Sequence, residues 1–169
     1  MRHFLAAGVI ALAFGIFSPA FSAEESVDQK FAADAAKDSM AEVELGQLAL
    51  NKSDNAKIRE FANRIIQDHS KANMQLQSIA KSGNVVLPSE PGEKLREPMN
   101  KLSGLSDKDF DRAYAEAMVE DHEKAVKLFQ QYQRDGSNKE LGAFAQQTLP
   151  VLQEHLHMAQ ALEKSLSGK

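Results

Sequence analysis

Phe61-Ala62-Asn63-Arg64-Ile65-Ile66-Gln67-Asp68-His69-Ser70-Lys71-Ala72 aligns without a gap on Tyr114-Ala115-Glu116-Ala117-Met118-Val119-Glu120-Asp121-His122-Glu123-Lys124-Ala125. Both stretches run aromatic, Ala, then Asp-His-x-Lys-Ala. Their apolar residues recur at steps of three and four, the spacing that gives an α-helix one apolar face. A repeated helical phrase of this kind reads as a duplicated helix pair.

The flanking sequence supplies partners for both copies. A first long helix is expected from Ser26 to Leu50, with Phe31, Ala35, Val43, Leu45 and Leu48 inward and Gly46 permitting a close helix contact. The polar run Asn51 to Asn55 makes a short turn. The second helix spans Asp54 to Lys81 through Ile58, Phe61, Ile65, Ala72, Leu76 and Ile79, and Gly83 ends it. Val85 to Leu105 holds Pro88, Pro91 and Pro98 and reads as a crossover, with a short helix from Glu93. Ser106 caps the third long helix, which carries Phe110, Tyr114, Ala117, Ala125, Leu128 and Tyr132. Asp135-Gly136-Ser137 turns the chain, and Ser137 with Glu140 is read as a capping box. The fourth helix carries Leu141, Ala145, Leu149, Leu152, Leu156, Ala159 and Leu162, with a bend expected at Pro150. No stretch alternates with period two, so no sheet is expected. Short turn, long crossover, short turn is the connectivity of an all-α, ferritin-like four-helix bundle, with the crossover between helices two and three; other up-and-down bundles share it.

The chain opens with Met1-Arg2-His3, an apolar run from Phe4 to Phe17 and a small-residue region ending at Ala23. Basic, apolar and small-residue regions in that order read as a secretory signal peptide over residues 1–23, leaving 24–169 as the helical domain, periplasmic or secreted after cleavage. The apolar run is shorter than the roughly 20 residues of a membrane span, and no later stretch reaches that length. There is no Cys, which excludes disulfides, thiolate ligands and a cysteine nucleophile. The formal net charge is −4, and no basic cluster with interleaved aromatics argues for nucleic acid.

Chemistry concentrates on the inward faces. His69 follows Ile65 by four and precedes Ala72 by three, where a leucine is expected; His122 stands likewise between Met118 and Ala125. Asp68 and Asp121 lie at the stripe edge. His155 follows Leu152 on the fourth helix, and Glu44 lies between Ala41 and Leu48 on the first. His69 and His122 each sit about 23 Å along helices running the same way, so they come level. Glu44 and His155 are expected to form a second polar layer about 10 Å away. Three readings of the histidines stand open: hydrogen-bonded core residues, ligands of a transition metal such as Zn, Cu or Fe, or a pH-sensitive pair. The tyrosines are expected to pack with their hydroxyls at the core boundary.

At Met40-Ala41-Glu42-Val43-Glu44-Leu45-Gly46, at both Asp-His phrases, and at Thr148-Leu149-Pro150 with Glu154-His155-Leu156-His157-Met158-Ala159, the chain resembles an exported bacterial family with a ferritin-like bundle and no assigned activity. The resemblance spans nearly the whole domain and implies the bundle, not a reaction. The chain departs from the di-iron carboxylate pattern of one Glu on each of two helices and Glu-x-x-His on the other two. Glu154-x-x-His157 matches once, and His157 points about 200° around the helix from His155. No phosphate loop, nucleophile elbow or zinc-protease motif occurs, so no catalytic residue is assigned. The sequence reads as an exported, non-enzymatic or metal-binding bundle, with a place in envelope stress or metal handling by family analogy. The alternative is a metal-free helical interaction module that binds an envelope protein partner.

Overall fold

Small polar side chains start three of the long helices by accepting free backbone amides. In the computed structural model, which describes residues 25–83 and 85–167, Ser26 accepts from the Gln29 amide and opens α1 (Val27–Lys52). Asn55 accepts from Lys57 and opens α2 (Ala56–Ser82). A short helix, α3 (Glu93–Ser103), follows α2. Ser106 precedes α4 (Asp107–Asp135) without a side-chain cap bond, and Asp107 takes a left-handed φ of 50° there. Aspartate is among the few side chains that tolerate that region. Asn138 opens α5 (Lys139–Leu166) and accepts from both Glu140 and Leu141. The capping box expected from Ser137 is therefore not formed. Asn138 reaches two amides from one residue closer, while Ser137 turns to the carboxylate of Asp28. α5 continues as helix across Pro150. The expected signal peptide, residues 1–23, lies outside the described residues.

The described residues form an all-helical bundle without strands. α1 packs on α2 and α4, and α5 packs on α4 and α2. α2 and α4 thus face each other across the core, with α3 lying against α1 and α4. Apolar side chains form two clusters. One joins Phe31 and Ala35 of α1, Leu76 of α2, Phe129 and Tyr132 of α4, and Leu141 and Phe144 of α5. The other joins Leu45 and Ala49, Ile58 and Phe61, Phe110 and Tyr114, and Ala159 and Leu162. The start of α1 meets the ends of α2 and α4 in the first cluster, and the order reverses in the second. α2 and α4 therefore run the same way, antiparallel to α1 and α5. The repeated phrase lies on these two parallel, diagonal helices. A head-to-tail copy of one hairpin would instead match α1 with α4, so the repeat reflects equivalent places around the bundle axis.

Gly46 lets α1 and α2 approach closely. A Cβ there would stand 2.7 Å from Ile66 Cγ1 and 3.2 Å from the Ala62 carbonyl oxygen, inside ordinary packing distance. Polar clamps hold both ends of the α1–α4 contact. At one end Ser53 donates to Asp111 at 2.5 Å, and Lys52 donates to the Leu105 carbonyl at 2.8 Å. At the other, Asp28 accepts from the Tyr132 hydroxyl, the Ser137 amide and hydroxyl, and the Asn138 amide. The Tyr132 ring stacks on Phe31 with centroids 3.8 Å apart, so the clamp is seated on the core. Burial raises the Asp28 pKa, but the hydrogen bonds from Tyr132, Ser137 and Asn138 outweigh it and bring the group down to about 2.

Removing this clamp by Asp28→Ala is expected to lower stability by about 2 kcal/mol at pH 7, the usual scale for hydrogen bonds to a charged group. Because the folded pKa is depressed, the contribution is complete above about pH 4 and fades as the pH falls through about 2. Urea titrations of both proteins at pH 7 and pH 3 check it: the gap between midpoints narrows at the lower pH.

Candidate metal centre

Between the two apolar clusters every long helix turns a polar side chain inward. On α1 these are Ser39 and Glu42, on α2 His69, on α4 His122 and on α5 His155. The histidines are 5%, 1% and 0% exposed. Their ring centroids lie 5.7 Å apart for His69 and His122, 5.5 Å for His69 and His155, and 5.3 Å for His122 and His155. Phe61 sets its ring near His122 and His155, with centroids 6.5 Å from each.

One nitrogen of each ring is held. His122 Nδ1–H donates to the Met118 carbonyl at 2.9 Å. His155 Nε2 meets the Asp68 carboxylate at 3.0 Å, and Arg64 holds the same carboxylate oxygen. His69 Nδ1 lies 3.3 Å from the Ser39 hydroxyl. The other three nitrogens, His69 Nε2, His122 Nε2 and His155 Nδ1, are buried without a hydrogen-bond partner. A neutral imidazole carries one N–H and one lone pair. Donation to Met118 and to Asp68 fixes the tautomers of His122 and His155, leaving their lone pairs on the unpartnered nitrogens. Each histidine offers one ligand atom, and these atoms lie within 4.8 Å of one another. An ion about 2.1 Å from each would need them roughly 3.4 Å apart, so the rings would close by up to about 1.4 Å to hold one.

Burial keeps the rings neutral. It drives His69 well below its usual range, reinforced by His122 and His155. It lowers His122 to about 4, with His155 adding to the shift against the Met118 hydrogen bond. It also lowers His155, against the pull of Asp68. Glu42 Oε1 stands 3.9 Å from His122 Nδ1, and Oε2 is buried without a partner. Burial, and then the negative charges of Asp121 and Asp38, push the Glu42 carboxyl well above the usual range. Asp38 is raised to about 7, chiefly by burial and then by Asp34 and Asp121.

The expected second polar layer does not exist as such. His155 joins His69 and His122 in one layer. α5 runs against α2 and α4, and helical side chains lean toward their own N-terminus. His155 and the other two rings therefore lean toward each other and close the gap that axial counting left. Glu44 is only half-buried and stays out of the cluster; Glu42, about 200° around the helix from it, takes the inward place. Asp68 supports His155 from behind. Asp121 is half-buried at the rim, 3.5 Å from Lys124, and burial raises its pKa. The lone Glu-x-x-His match falls outside: Glu154 and His157 are exposed. Tyr114 is fully buried with an unpartnered hydroxyl, not at the boundary. Reading α1 as Ala35, Ser39, Glu42, Leu45, Ala49, at steps of three and four, would have found Ser39 and Glu42.

Ion-free protein is expected to lose stability as the pH falls from about 6.5 to about 4, where the unfolded chain takes a proton that folded His122 refuses. The shift amounts to about 3 kcal/mol for this ring. Replacing it by His122→Leu removes that dependence, so chelator-treated variant should gain on wild type by about this amount between pH 7 and pH 4 in urea titrations. Parallel pH profiles would contradict it.

The family model described as a domain of unknown function (DUF4142) matches residues 17–162. Among curated proteins none matches. A solved structure from Streptomyces coelicolor, provisionally named a secreted protein of DUF305, superposes with a TM-score of 0.73. It is 17% identical and covers 85% of this chain and 94% of its own, a likeness of fold. By the extent of the family match, the chain belongs to the DUF4142 family.

Proposed function

We propose that this DUF4142 protein binds one transition-metal ion through His69, His122 and His155. One observation carries the reading: three buried imidazoles are each anchored through one nitrogen and leave the other unpartnered, and one ring nitrogen from each lies within 4.8 Å of the others. Buried polar atoms normally have partners, and a histidine whose second nitrogen is held by a carboxylate or carbonyl is the usual arrangement behind a metal ligand. The donor set is three neutral imidazoles with no thiolate, which suits Zn, Cu or Fe. It leaves a coordination position that water could take. The di-iron carboxylate pattern is not met, so ferritin-type iron oxidation does not follow from the fold.

Around this site we read a ferritin-like connectivity, with residues 85–105 as the long crossover, and a signal peptide over 1–23 that exports the domain to the periplasm. The structurally similar Streptomyces protein is described as secreted, which supports export. A role in metal handling or envelope stress fits an exported single-ion protein. The interaction-module alternative calls for a contiguous exposed apolar patch; the exposed large apolar side chains among the described residues are Val27, Met74 and Val86, on separate elements.

Metal analysis of untagged protein after incubation with Zn²⁺, Cu²⁺ or Fe²⁺ is expected to give about one ion per chain for at least one metal. The ion should also raise the melting temperature, since about a hundredfold excess over Kd adds roughly 2.7 kcal/mol. The His69→Ala, His122→Ala double variant should lose both effects. Near-zero metal and no thermal shift in either protein would sink the proposal.

A further inference from the structure

A small cavity of about 60 Å³ lies between α1 and α4, lined by Asp38, Glu42, Asp121 and Lys124 together with His69 and His122. Asp121 and Lys124 also line a wider surface cleft of about 380 Å³ between α3 and α4, where Glu97, Glu116 and Glu120 stand in the wall. The two spaces thus adjoin at the same pair of side chains. Passing inward, carboxylates follow one another from exposed (Glu116, Glu120) to half-buried (Asp121, Asp38) to buried (Glu42). A second feature is independent of this acidic series. Glu42 Oε2 and the Nε2 atoms of His69 and His122, all on side chains more than nine-tenths buried, have no partner in the residues that line the inner cavity.

We propose that the α1–α4 cavity is the route by which a divalent cation reaches the three histidines, with Asp38 and Asp121 as its mouth and Lys124 as its gate. This rests on the metal-binding reading above. Carboxylates lining a low-dielectric cleft concentrate cations and speed their arrival. Lys124 is the cationic side chain in the cavity wall. Its ammonium lies 2.7 Å from Glu120 and 3.5 Å from Asp121, and the side chain is 63% exposed. Tethered to the rim and free to swing into water, it occupies the cation position until an ion displaces it. The opposite face between α2 and α5 is differently built. There the carboxylate leading inward, Asp68, is already engaged by Arg64 and His155. Lys71 lines the shallow cleft outside it. An ion approaching from that side would have to break the hydrogen bond that orients His155.

Stopped-flow transfer of Zn²⁺ from a fluorescent zinc indicator to untagged protein tests the route. Wild type, Asp38→Asn, Lys124→Gln and, as a control on the far face, Lys71→Gln are compared at low ionic strength and about pH 8, above the raised pKa of Asp38. The route predicts uptake about threefold to tenfold slower in Asp38→Asn and faster in Lys124→Gln. Lys71→Gln should stay within about twofold of wild type, and all four should reach the same stoichiometry at equilibrium. The differences should shrink in about 0.5 M salt, where exposed charges are screened. Equal rates in all four, or a change confined to Lys71→Gln, would overturn the route while leaving the metal site standing. Wild type that takes up no Zn²⁺, Cu²⁺ or Fe²⁺ at equilibrium would overturn both.

Discussion

Three imidazoles buried in a bundle core are the constraint around which the rest is arranged. A buried polar atom without a partner costs about 1–3 kcal/mol, and this layer holds His69 Nε2, His122 Nε2, His155 Nδ1 and Glu42 Oε2 in that state. The surroundings make the layer tolerable by satisfying the outer edge of each ring through Ser39, the Met118 carbonyl and Asp68. They do not relieve the inner edge. An apolar layer of the same volume would be easier to bury. What the imidazoles offer instead is three lone pairs at a fixed place, and an ion is the partner that would use all three at once.

The layer also fixes how the helices slide. Apolar clusters above and below it are chemically alike, both built from aromatics against alanines and leucines. A one-turn slide of α1 against α2, or of α5 against α2, would part His69 from Ser39 or His155 from Asp68 and leave that ring with no partner on either edge. A like slide of α1 against α4 would pull Asp28 from Tyr132 at one end and Ser53 from Asp111 at the other. Site geometry and helix register are therefore one problem, solved by polar contacts at three heights along the α1–α4 pair.

Much of this was legible in the residues. Apolar spacing placed four long helices to within a few residues, because strong amphipathic periodicity survives any tertiary context. His69 and His122 stood out as polar residues in leucine positions, and their shared level followed from equal distances along parallel helices. Other features depended on quantities that spacing does not carry. Glu42 and Glu44 differ by two residues and opposite faces, so one misplaced stripe on an alanine-rich helix chose the wrong acid. The height of His155 depended on the lean of side chains on antiparallel helices, which axial counting ignores. Ser137 left the cap to Asn138 because its hydroxyl donates to Asp28, more than a hundred residues away, and turns from the helix start. No local pattern announces that contact.

The repeat acquires a different meaning in three dimensions. Its two copies occupy diagonal helices that run the same way, so an axis along the bundle gives Asp68-His69 and Asp121-His122 matching heights. Their neighbours then break the equivalence. Asp68 faces α5, where it is tied to Arg64 and orients His155. Asp121 faces α1 and stands free of any histidine, beside Lys124 at the rim of the cavity. One copy of the phrase thus spends its aspartate on holding a third imidazole in place. The other leaves its aspartate at the opening. On the proposed route, a symmetric pair of motifs yields a site with a closed back and an open front, the asymmetry that a buried ion site needs if it is to be filled after the bundle has folded.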